Sequence, residues 1–406
     1  MRRRTGIVAA AGVAVGTAAA GAAAALAIAG GPVGRRLVAR GDRRRNVVTG
    51  DPRAVVSDRA RELHATLRVV DLHADTLLWG RDLLVRGATG HLDVPRLIEG
   101  RVALQGLAVA TKVPHGLSME RNVDRFDDVT LVALGLGWPR PALRDPLARA
   151  LHLAEQARYA AEASEERLTI VRSATDLHGH LARLDGGLEA TAAFLALEGA
   201  HPLVGGPGSV DVLVDVLFDA GYRMVGPSHF LDTPFGGSAH GVARGGLTEL
   251  GRELVDSLEA RSILIDLAHA SPALFDDVVA DARRPVVVSH AGVRATADSA
   301  RNLTDEQLKA VAATGGLFGT GFWPMATGGE DVASLVRAID HAVGVVGFRH
   351  VALGSDFDGA VSAPFDASGL AHLTDGLLEA GFSESTIRAV MGENALRFLG
   401  ELLPAA

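Results

Sequence analysis

Residues 69–75 read Val-Val-Asp-Leu-His-Ala-Asp, a short and mostly apolar run that ends in a histidine and an aspartate. Seven further runs of similar character follow, at residues 102–110, 193–198, 223–229, 262–269, 285–290, 316–322 and 350–356. Runs that are almost continuously apolar are typical of parallel strands buried on both faces. Most of the segments between neighbouring runs are long enough for a helix. The eight runs therefore predict an α/β fold, a single (β/α)8 TIM barrel.

One connection between the runs is much longer than the others. Residues 114–183 separate the second run from the third and contain a helical pattern over residues 145–166. Pro146 falls in the first turn of this pattern, where its missing N–H costs little. We interpret the connection as a helical insertion after strand 2. A barrel with an insertion accounts for most of the 406 residues as one domain, although length alone suggests two or three.

The N-terminal part of the chain differs in composition from the rest. Residues 1–45 hold nine arginines and one acid, a charge of +8, so the net charge of −8 leaves −16 for the remainder. No charged residue occurs from residue 5 to residue 33, a length sufficient to cross a bilayer of about 30 Å. We expect residues 1–34 to be a signal peptide or an N-terminal membrane anchor, residues 35–56 a linker, and residues 57–406 the barrel.

Two interpretations of this apolar leader stay open. The small-residue triplets within residues 25–29 resemble cleavage sites and favour a removed export signal. The uncharged span exceeds 20 residues, which is long for a signal peptide and favours an uncleaved anchor. Arginines flank both ends of the span, so the positive-inside rule does not set its orientation. Either interpretation predicts a membrane-anchored or exported protein.

Composition excludes several kinds of function. The part of the chain after the leader is acidic, whereas nucleic-acid binding needs a basic face, so we expect no nucleic-acid partner. The sequence contains no cysteine. This excludes a disulfide framework, a thiolate-ligated zinc site, an iron–sulfur cluster and a cysteine nucleophile.

The ends of the apolar runs carry the candidate functional residues. Histidines and carboxylates stand at the C-terminal ends of six runs: His73 and Asp75, Glu198, His229, Asp266 and His269, His290, and Asp356 and Asp358. Active sites of barrel enzymes lie at the carboxyl ends of the strands, so these side chains should meet in one pocket. Imidazole and carboxylate ligands without thiolate suit zinc better than manganese or iron. The joint pattern predicts a zinc site.

These residues resemble the membrane dipeptidase (renal dipeptidase) family of the amidohydrolase superfamily. The resemblance extends from residue 69 to residue 399. Its most specific motifs are Asp-Leu-His-Ala-Asp at residues 71–75, Arg-Asn-Leu-Thr-Asp at residues 301–305 and Gly-Ser-Asp-Phe-Asp-Gly at residues 354–359. The resemblance implies a barrel of the metallo-dependent hydrolase type.

The resemblance also implies a ligand set for two zinc ions per chain. His73 and Asp75 would bind one ion, and His269 and His290 would bind the second. Glu198 and a hydroxide would bridge the two. A pair of cations at such a site makes a bound water acidic enough to be hydroxide at neutral pH.

Further residues receive functions from the same resemblance. Asp356 would take the proton of the attacking hydroxide and pass it to the leaving amine, and His229 would hydrogen-bond the substrate carbonyl. Arg301 would bind the free α-carboxylate, for which a planar bidentate donor is well suited. Its alternative interpretation is a surface arginine that caps a helix. We expect Asp358 and His201 to orient the site rather than to bind metal.

The segment after His229 departs from the family's pattern. Asp232 stands where the family usually has Asn, and residues 236–241 form a Gly-rich loop. None of these positions is a predicted metal ligand, and we expect them to line the substrate side of the pocket. They leave the side-chain preference of the enzyme open.

The sequence therefore predicts a zinc-dependent dipeptidase whose partner is a small dipeptide substrate, associated with the membrane through its N-terminal segment. A homodimer is implied by the resemblance only. One alternative is another amidohydrolase reaction on the same metal pair, such as amide or lactam hydrolysis of a carboxylate-bearing non-peptide substrate. The other is a non-catalytic surface binding protein. That alternative predicts the loss of one or more metal ligands, whereas all five are present.

Overall fold

The computed structural model describes residues 30–51, 54–206 and 208–406. The strands of these residues are β1 (Val47–Val48), β2 (Val69–Ala74), β3 (Val102–Ala110), β4 (Leu168–Ile170), β5 (Thr191–Glu198), β6 (Tyr222–Val225), β7 (Leu264–Ile265), β8 (Val287–Ala291), β9 (Leu317–Thr320), β10 (Val351–Leu353) and β11 (Ser362–Ala363). The α-helices are α1 (Pro32–Arg45), α2 (Asp58–Ala65), α3 (Val94–Glu99), α4 (Asp128–Leu136), α5 (Pro146–Ala163), α6 (Ala174–Asp185), α7 (Val210–Ala220), α8 (Glu249–Ala260), α9 (Pro272–Asp281), α10 (Asp305–Ala313), α11 (Pro324–Thr327), α12 (Val332–Val346), α13 (Ala371–Glu379), α14 (Glu384–Arg388) and α15 (Asn394–Leu402).

Eight of the strands form a curved parallel sheet. Their order is β7-β6-β5-β3-β2-β10-β9-β8. A parallel bridge between Asp266 and Val287 connects the end of β7 to β8 and closes the ring. Parallel strands that alternate with helices around a ring are a (β/α)8 barrel, so the predicted fold class is confirmed.

Each barrel strand coincides with one of the eight apolar runs, although β5, β6 and β8 extend one or two residues beyond theirs. Every residue of β3 and β5 is buried, as expected for strands covered on both faces. A Cβ atom on Gly106 in β3 would lie 2.0 Å from the carbonyl oxygen of Leu72 in β2, so this close approach of the two strands requires glycine. The short strands β1, β4 and β11 were not predicted, because two or three residues carry no recognisable period.

The long connection at residues 114–183 is helical, as predicted. It contains α4 and α5, and it also includes the short strand β4. The side chain of Asp127 accepts a hydrogen bond from the N–H of Val129 at the start of α4. Asp145 accepts one from Leu147 at the start of α5. These caps satisfy N–H groups that have no partner within the helix.

Helix α1 departs from the predicted linker at residues 35–56. Its buried residues are Gly34, Val38 and Asp42, which are spaced four apart and so share one face of the helix. The helix packs against α4, where a Cβ atom on Gly135 would lie 2.8 Å from a methyl carbon of Val38. Two of the three buried residues are glycine and aspartate, so the buried face has no apolar pattern. The exposed arginines dominated the sequence interpretation for that reason.

Most of the predicted leader, residues 1–34, lies outside the described residues. The candidate cleavage sites within residues 25–29 fall there as well, so membrane association and export stay predictions. Within the described ranges, no helix combines the length and the apolarity that crossing a membrane requires.

A buried histidine connects three elements of the outer layer. His64 in α2 lies 2.9 Å from Thr374 Oγ1 in α13 through Nδ1, and 3.2 Å from the carbonyl oxygen of Gly100 through Nε2. Burial lowers the pKa of His64 from 6.5 to about 4. Between pH 6.5 and about pH 4, His64 binds a proton in the unfolded chain but not in the folded one. The free energy of unfolding therefore decreases as the pH falls through this range.

We therefore predict that His64→Gln destabilises the protein at pH 7 and that this cost shrinks on acidification. The shrinkage should be at most about 1.4 kcal/mol for each unit by which the pKa is depressed. Urea denaturation of both proteins between pH 7 and pH 4 measures it, and any effect of acid on the rest of the protein cancels in the comparison. The control is His115→Gln at an exposed position. A cost of His64→Gln that stays constant with pH contradicts the prediction.

Candidate metal centre and active site

The five predicted metal ligands meet at the carboxyl ends of four barrel strands. His73 lies near the end of β2 and Asp75 just after it, Glu198 ends β5, His269 follows β7, and His290 lies in β8. Each of these residues is at most 6% exposed. The barrel thus brings together side chains that lie far apart in the sequence.

Glu198 lies at the centre of this group. Its Oε1 atom is 3.1 Å from His73 Nε2, 3.2 Å from His269 Nε2 and 3.4 Å from His290 Nε2. The donor atoms of His73, Asp75 and Glu198 all lie within 4.8 Å of one another, and so do those of Glu198, His269 and His290. The two groups of three donors share Glu198.

The donor set fits a pair of divalent metal ions. The Oδ1 atom of Asp75 is buried without a hydrogen-bond partner, whereas buried polar atoms normally have one. Nitrogen and oxygen donors without sulfur suit first-row divalent metals. A carboxylate common to both groups has two oxygens with which to bridge two ions.

A serine determines which nitrogen of two histidines faces Glu198. The hydroxyl oxygen of Ser289 lies 3.3 Å from His73 Nδ1 and 2.8 Å from His290 Nδ1, and the hydroxyl donates to Asp266 Oδ2. The oxygen can then accept an Nδ1–H bond from each ring. This turns the Nε2 atoms of both rings towards Glu198, and such support of the outer nitrogen is common around histidine ligands. Sequence reasoning placed Asp266 at a strand end but missed the function of Ser289.

A second hydrogen-bond network aligns the ends of three neighbouring strands. Asp71 Oδ1 accepts from the N–H of Ser355 at 2.8 Å. Its Oδ2 accepts from Ser355 Oγ at 2.6 Å and from Gln105 Nε2 at 2.9 Å. These residues come from β2, β3 and the segment after β10, which are adjacent in the ring. Asp71 and Ser355 lie within family motifs, but the sequence gives no sign of these contacts.

The electrostatics of the ligands differ across the site. Burial, followed by repulsion from Asp75, raises the pKa of Glu198 to about 7. Burial opposes protonation of His73, but the charges of Glu198 and Asp75 outweigh it and raise the pKa of His73 well above its ordinary value. Burial lowers the pKa of His269 and His290 well below the ordinary value. The last two are therefore neutral imidazoles, the form that binds metal.

Asp356 approaches the site from the segment after β10. A Cβ atom on Gly359 would lie 1.9 Å from Asp356 Oδ1 and 3.0 Å from Asp75 Oδ2, so both carboxylates lie against the same glycine. Burial, followed by repulsion from Asp75, raises the pKa of Asp356 well above its ordinary value. A raised pKa makes a carboxyl group a better proton acceptor than an ordinary aspartate.

The backbone that carries Asp356 has an unusual conformation. Asp356, Asp358 and Ala360 have φ values of 60°, 65° and 63°. Left-handed backbone costs residues with a side chain about 1–2 kcal/mol each, so the surrounding contacts must stabilise it. One such contact joins the loop to the end of β2, where the N–H of Asp75 donates to the carbonyl oxygen of Phe357 at 2.8 Å.

His229 lies beside both Glu198 and His269. Its Nε2 atom is 3.2 Å from Glu198 Oε2, and its ring centroid is 4.5 Å from that of His269. Burial lowers the pKa of His229 well below its ordinary value. A neutral imidazole in this place can donate one N–H to a substrate oxygen.

Arg301 is part of the site and not a surface residue. It is 5% exposed, so the interpretation as a helix-capping surface arginine is wrong. Its guanidinium donates to the carbonyl oxygen of Ala268 and, at 2.6 Å, to that of His290, and Nη2 lies 3.5 Å from His269 Nε2. Burial lowers the pKa of Arg301 to about 10, which leaves it charged at neutral pH. The two carbonyls use only part of its five N–H donors.

Asp358 and His201 belong to neither of the two donor groups that share Glu198. Asp358 Oδ1 accepts from the N–H of His91 at 2.7 Å, and its other oxygen is ion-paired with Arg81. His201 and His229 both lie against Gly199, and burial lowers the pKa of His201 to about 4. Both residues contact the surroundings of the site.

Asp232 organises a loop. Its Oδ1 atom accepts from the N–H of Ser238 at 2.8 Å, and its Oδ2 atom accepts from Val242 and Ala243 at 2.7 Å each. These bonds close the Gly-rich loop at residues 236–241 on itself. The carboxylate of Asp232, which we expected to line the substrate side of the pocket, therefore accepts hydrogen bonds from backbone N–H groups instead.

Known proteins resemble this chain in sequence and in fold. The dipeptidase aclJ of Aspergillus oryzae is 28% identical over 329 residues, which cover 77% of this chain and 70% of the relative. The crystal structure of a metallopeptidase named dipeptidase AC is 27% identical, with a TM-score of 0.68, over 84% of this chain and 100% of that one. A metallopeptidase of Rhodobacter sphaeroides, bound to a phosphinate mimic of the dipeptide L-Ala-D-Ala, is 26% identical, with a TM-score of 0.66, over 83% of this chain and 99% of that one.

The model of one protein family matches most of the chain. The model of membrane dipeptidase, peptidase family M19, matches residues 57–404. This range contains the complete ring of eight strands and both donor groups, whereas α1 and β1 precede it. Together with the metal-ligand geometry, the match shows that the chain is a metallodipeptidase and belongs to the membrane dipeptidase family, peptidase family M19.

Proposed function

We propose that the enzyme hydrolyses the peptide bond of dipeptides with two zinc ions held around Glu198. The observation that carries this proposal is that two groups of three donors share one buried carboxylate. His73 and Asp75 would hold one ion together with Glu198, and His269 and His290 would hold the other. When bound, the zinc pair supplies the positive charge that makes a water nucleophilic at neutral pH and polarises the substrate carbonyl.

Asp356 would move the proton. Its carboxylate accepts the proton of the attacking water and then donates it to the nitrogen of the leaving amine, which cannot depart as an anion. The position of Asp356 against Asp75, together with its raised pKa, supports this function.

His229 would stabilise the charge that develops on the substrate. As the water adds to the peptide carbonyl, negative charge accumulates on the carbonyl oxygen. The Nε2–H group of a neutral imidazole can donate to that oxygen. The proximity of His229 to Glu198 supports this assignment.

Arg301 would bind the C-terminal carboxylate of the dipeptide. Two backbone carbonyls hold the guanidinium beside His269, so its planar group is fixed before substrate binds. A relative that is 26% identical binds a phosphinate mimic of L-Ala-D-Ala. A dipeptide carries a free carboxylate, which this arginine can pair with.

We predict that Glu198→Gln removes both zinc and activity. An amide is a poor bridge between two cations, so zinc should fall well below the about two equivalents per chain expected of the unmodified enzyme. Metal analysis of the purified proteins and dipeptide hydrolysis measure the two effects. Ser289→Ala is a graded comparison, with a loss of about 10- to 100-fold in metal affinity or activity. Full zinc and full activity in Glu198→Gln contradict the dinuclear centre.

We predict that Asp356→Asn lowers kcat by about 10²- to 10⁴-fold because the amide cannot carry the proton. KM and zinc content should change little, since the side chain keeps its size. Steady-state kinetics on a dipeptide tests this. The matched control is Asp340→Asn on the exposed face of α12. An Asp356→Asn enzyme with the kcat of the parent excludes the proposed proton transfer.

We predict that Arg301→Lys weakens the interaction between the enzyme and the free carboxylate of the substrate. Charge-assisted hydrogen bonds contribute about 1.5–3 kcal/mol, so kcat/KM for a dipeptide should fall roughly 10- to 150-fold. The same dipeptide with a C-terminal amide lacks the carboxylate and should lose much less. Because both substrates are measured on the same variant, any general damage to the site affects both equally and cancels in the comparison. Equal losses for both would show that Arg301 does not bind the carboxylate.

A further inference from the structure

Helix α1 directs a carboxylate and an amide towards the interior of the protein. Asp42 is 1% exposed, and Asn46, which directly follows the helix, is 5% exposed. The arginines of the same helix are all exposed. A buried charge is costly unless it is paired, so the partners of Asp42 indicate what this helix does.

A chain of contacts leads from Asp42 to the loop that carries Asp356. Asp42 Oδ1 accepts from Asn46 Nδ2 at 2.8 Å, and Asp42 Oδ2 lies 3.3 Å from Arg81 Nε. Another nitrogen of the Arg81 guanidinium pairs with Asp358 Oδ2. Asp358 is only two residues beyond Asp356.

Asn46 makes a second and direct connection to the same loop. Its Oδ1 atom accepts from the N–H of Ala360 at 2.9 Å. Strand β1 begins at the next residue and pairs in parallel with β11, Val47 opposite Ser362. The segment from Asp42 to β1 therefore holds the end of the loop through its side chains and through its backbone.

The loop is one that needs such support. Asp356, Asp358 and Ala360 all have left-handed backbone, which residues with a side chain keep only where their surroundings hold them. Two of these three residues, Asp358 and Ala360, are the ones that the contacts from Arg81 and Asn46 reach. The third is the residue that would carry the proton.

We propose that Asp42 and Asn46 are positioning residues for Asp356. They hold the loop at residues 356–360 in its left-handed conformation, which keeps the Asp356 carboxylate against Asp75. This inference rests on the proposed function, since it takes Asp356 as the proton carrier. Helix α1 and strand β1 precede the family match, which begins at residue 57. A segment outside the matched barrel thus contributes to the active site.

The test uses Asn46→Ala and Asp42→Asn in the full chain. We expect kcat for a dipeptide to fall about 10- to 100-fold, since a small displacement of a catalytic group has effects of this size. KM and the zinc content of each chain should stay unchanged. A merely structural effect would lower the fraction of metal-loaded enzyme without changing kcat per loaded chain. The control is Arg43→Ala on the exposed face of the same helix, which should leave kcat unchanged.

A double-mutant cycle separates this inference from the proposed function. In an Asp356→Asn background the proton carrier is already lost, so adding Asn46→Ala should change the residual kcat by less than about 2-fold. An equal loss in both backgrounds, or a parental kcat in Asn46→Ala and Asp42→Asn, overturns the positioning inference alone. A parental kcat in Asp356→Asn overturns the proton transfer and the inference with it.

Discussion

The site depends on the burial of one carboxylate. Glu198 ends a fully buried strand, and imidazole nitrogens approach both of its oxygens at 3.1–3.4 Å. Burial of a charge without full compensation is costly, and the pKa of about 7 at Glu198 reflects an environment that disfavours the ionised form. His229, His269 and His290 are neutral and supply none of the missing positive charge. The charge that His73 favours does not return the pKa of Glu198 to its ordinary value. A pair of cations would supply the missing charge, so the same carboxylate that is poorly stabilised by the protein alone is well suited to bridge metal ions.

Two of these histidines, His73 and His290, can face this carboxylate because a serine hydroxyl holds their outer nitrogens. The hydroxyl of Ser289, which donates to Asp266, contacts the Nδ1 atoms of His73 and His290, so two rings from different strands are oriented by one hydroxyl. The network around Asp71 aligns the end of β2, which carries His73, with β3 and the segment after β10. In both cases the hydrogen bonds connect neighbouring or facing strands. Barrel closure and ligand orientation are therefore achieved by the same contacts.

The barrel and the candidate residues at its strand ends could be predicted from the sequence because two independent patterns coincide. Buried parallel strands appear as apolar runs, and the chemistry appears at their ends, so His269 and His290 were identifiable without any coordinates. Hydrogen bonds between remote residues leave no such pattern. Ser355 and Asp71 are 284 positions apart, and nothing local pairs them. Helix α1 was missed because glycine and aspartate occupy much of its buried face, which follows packing needs rather than hydrophobicity.

The loop at residues 356–360 shows how activity and stability are divided in this fold. Its three left-handed residues each cost about 1–2 kcal/mol, a large amount against a typical domain stability of 5–15 kcal/mol. The closed ring of eight strands does not include β1, which pairs with β11 in a separate two-stranded sheet. Contacts from Asp42 and Asn46 therefore stabilise the loop and not the ring. When these contacts are lost, the loop can relax to ordinary backbone while the ring keeps its hydrogen bonds. Relaxation removes the backbone strain and displaces Asp356. Loss of these contacts therefore lowers kcat more than it lowers the free energy of unfolding.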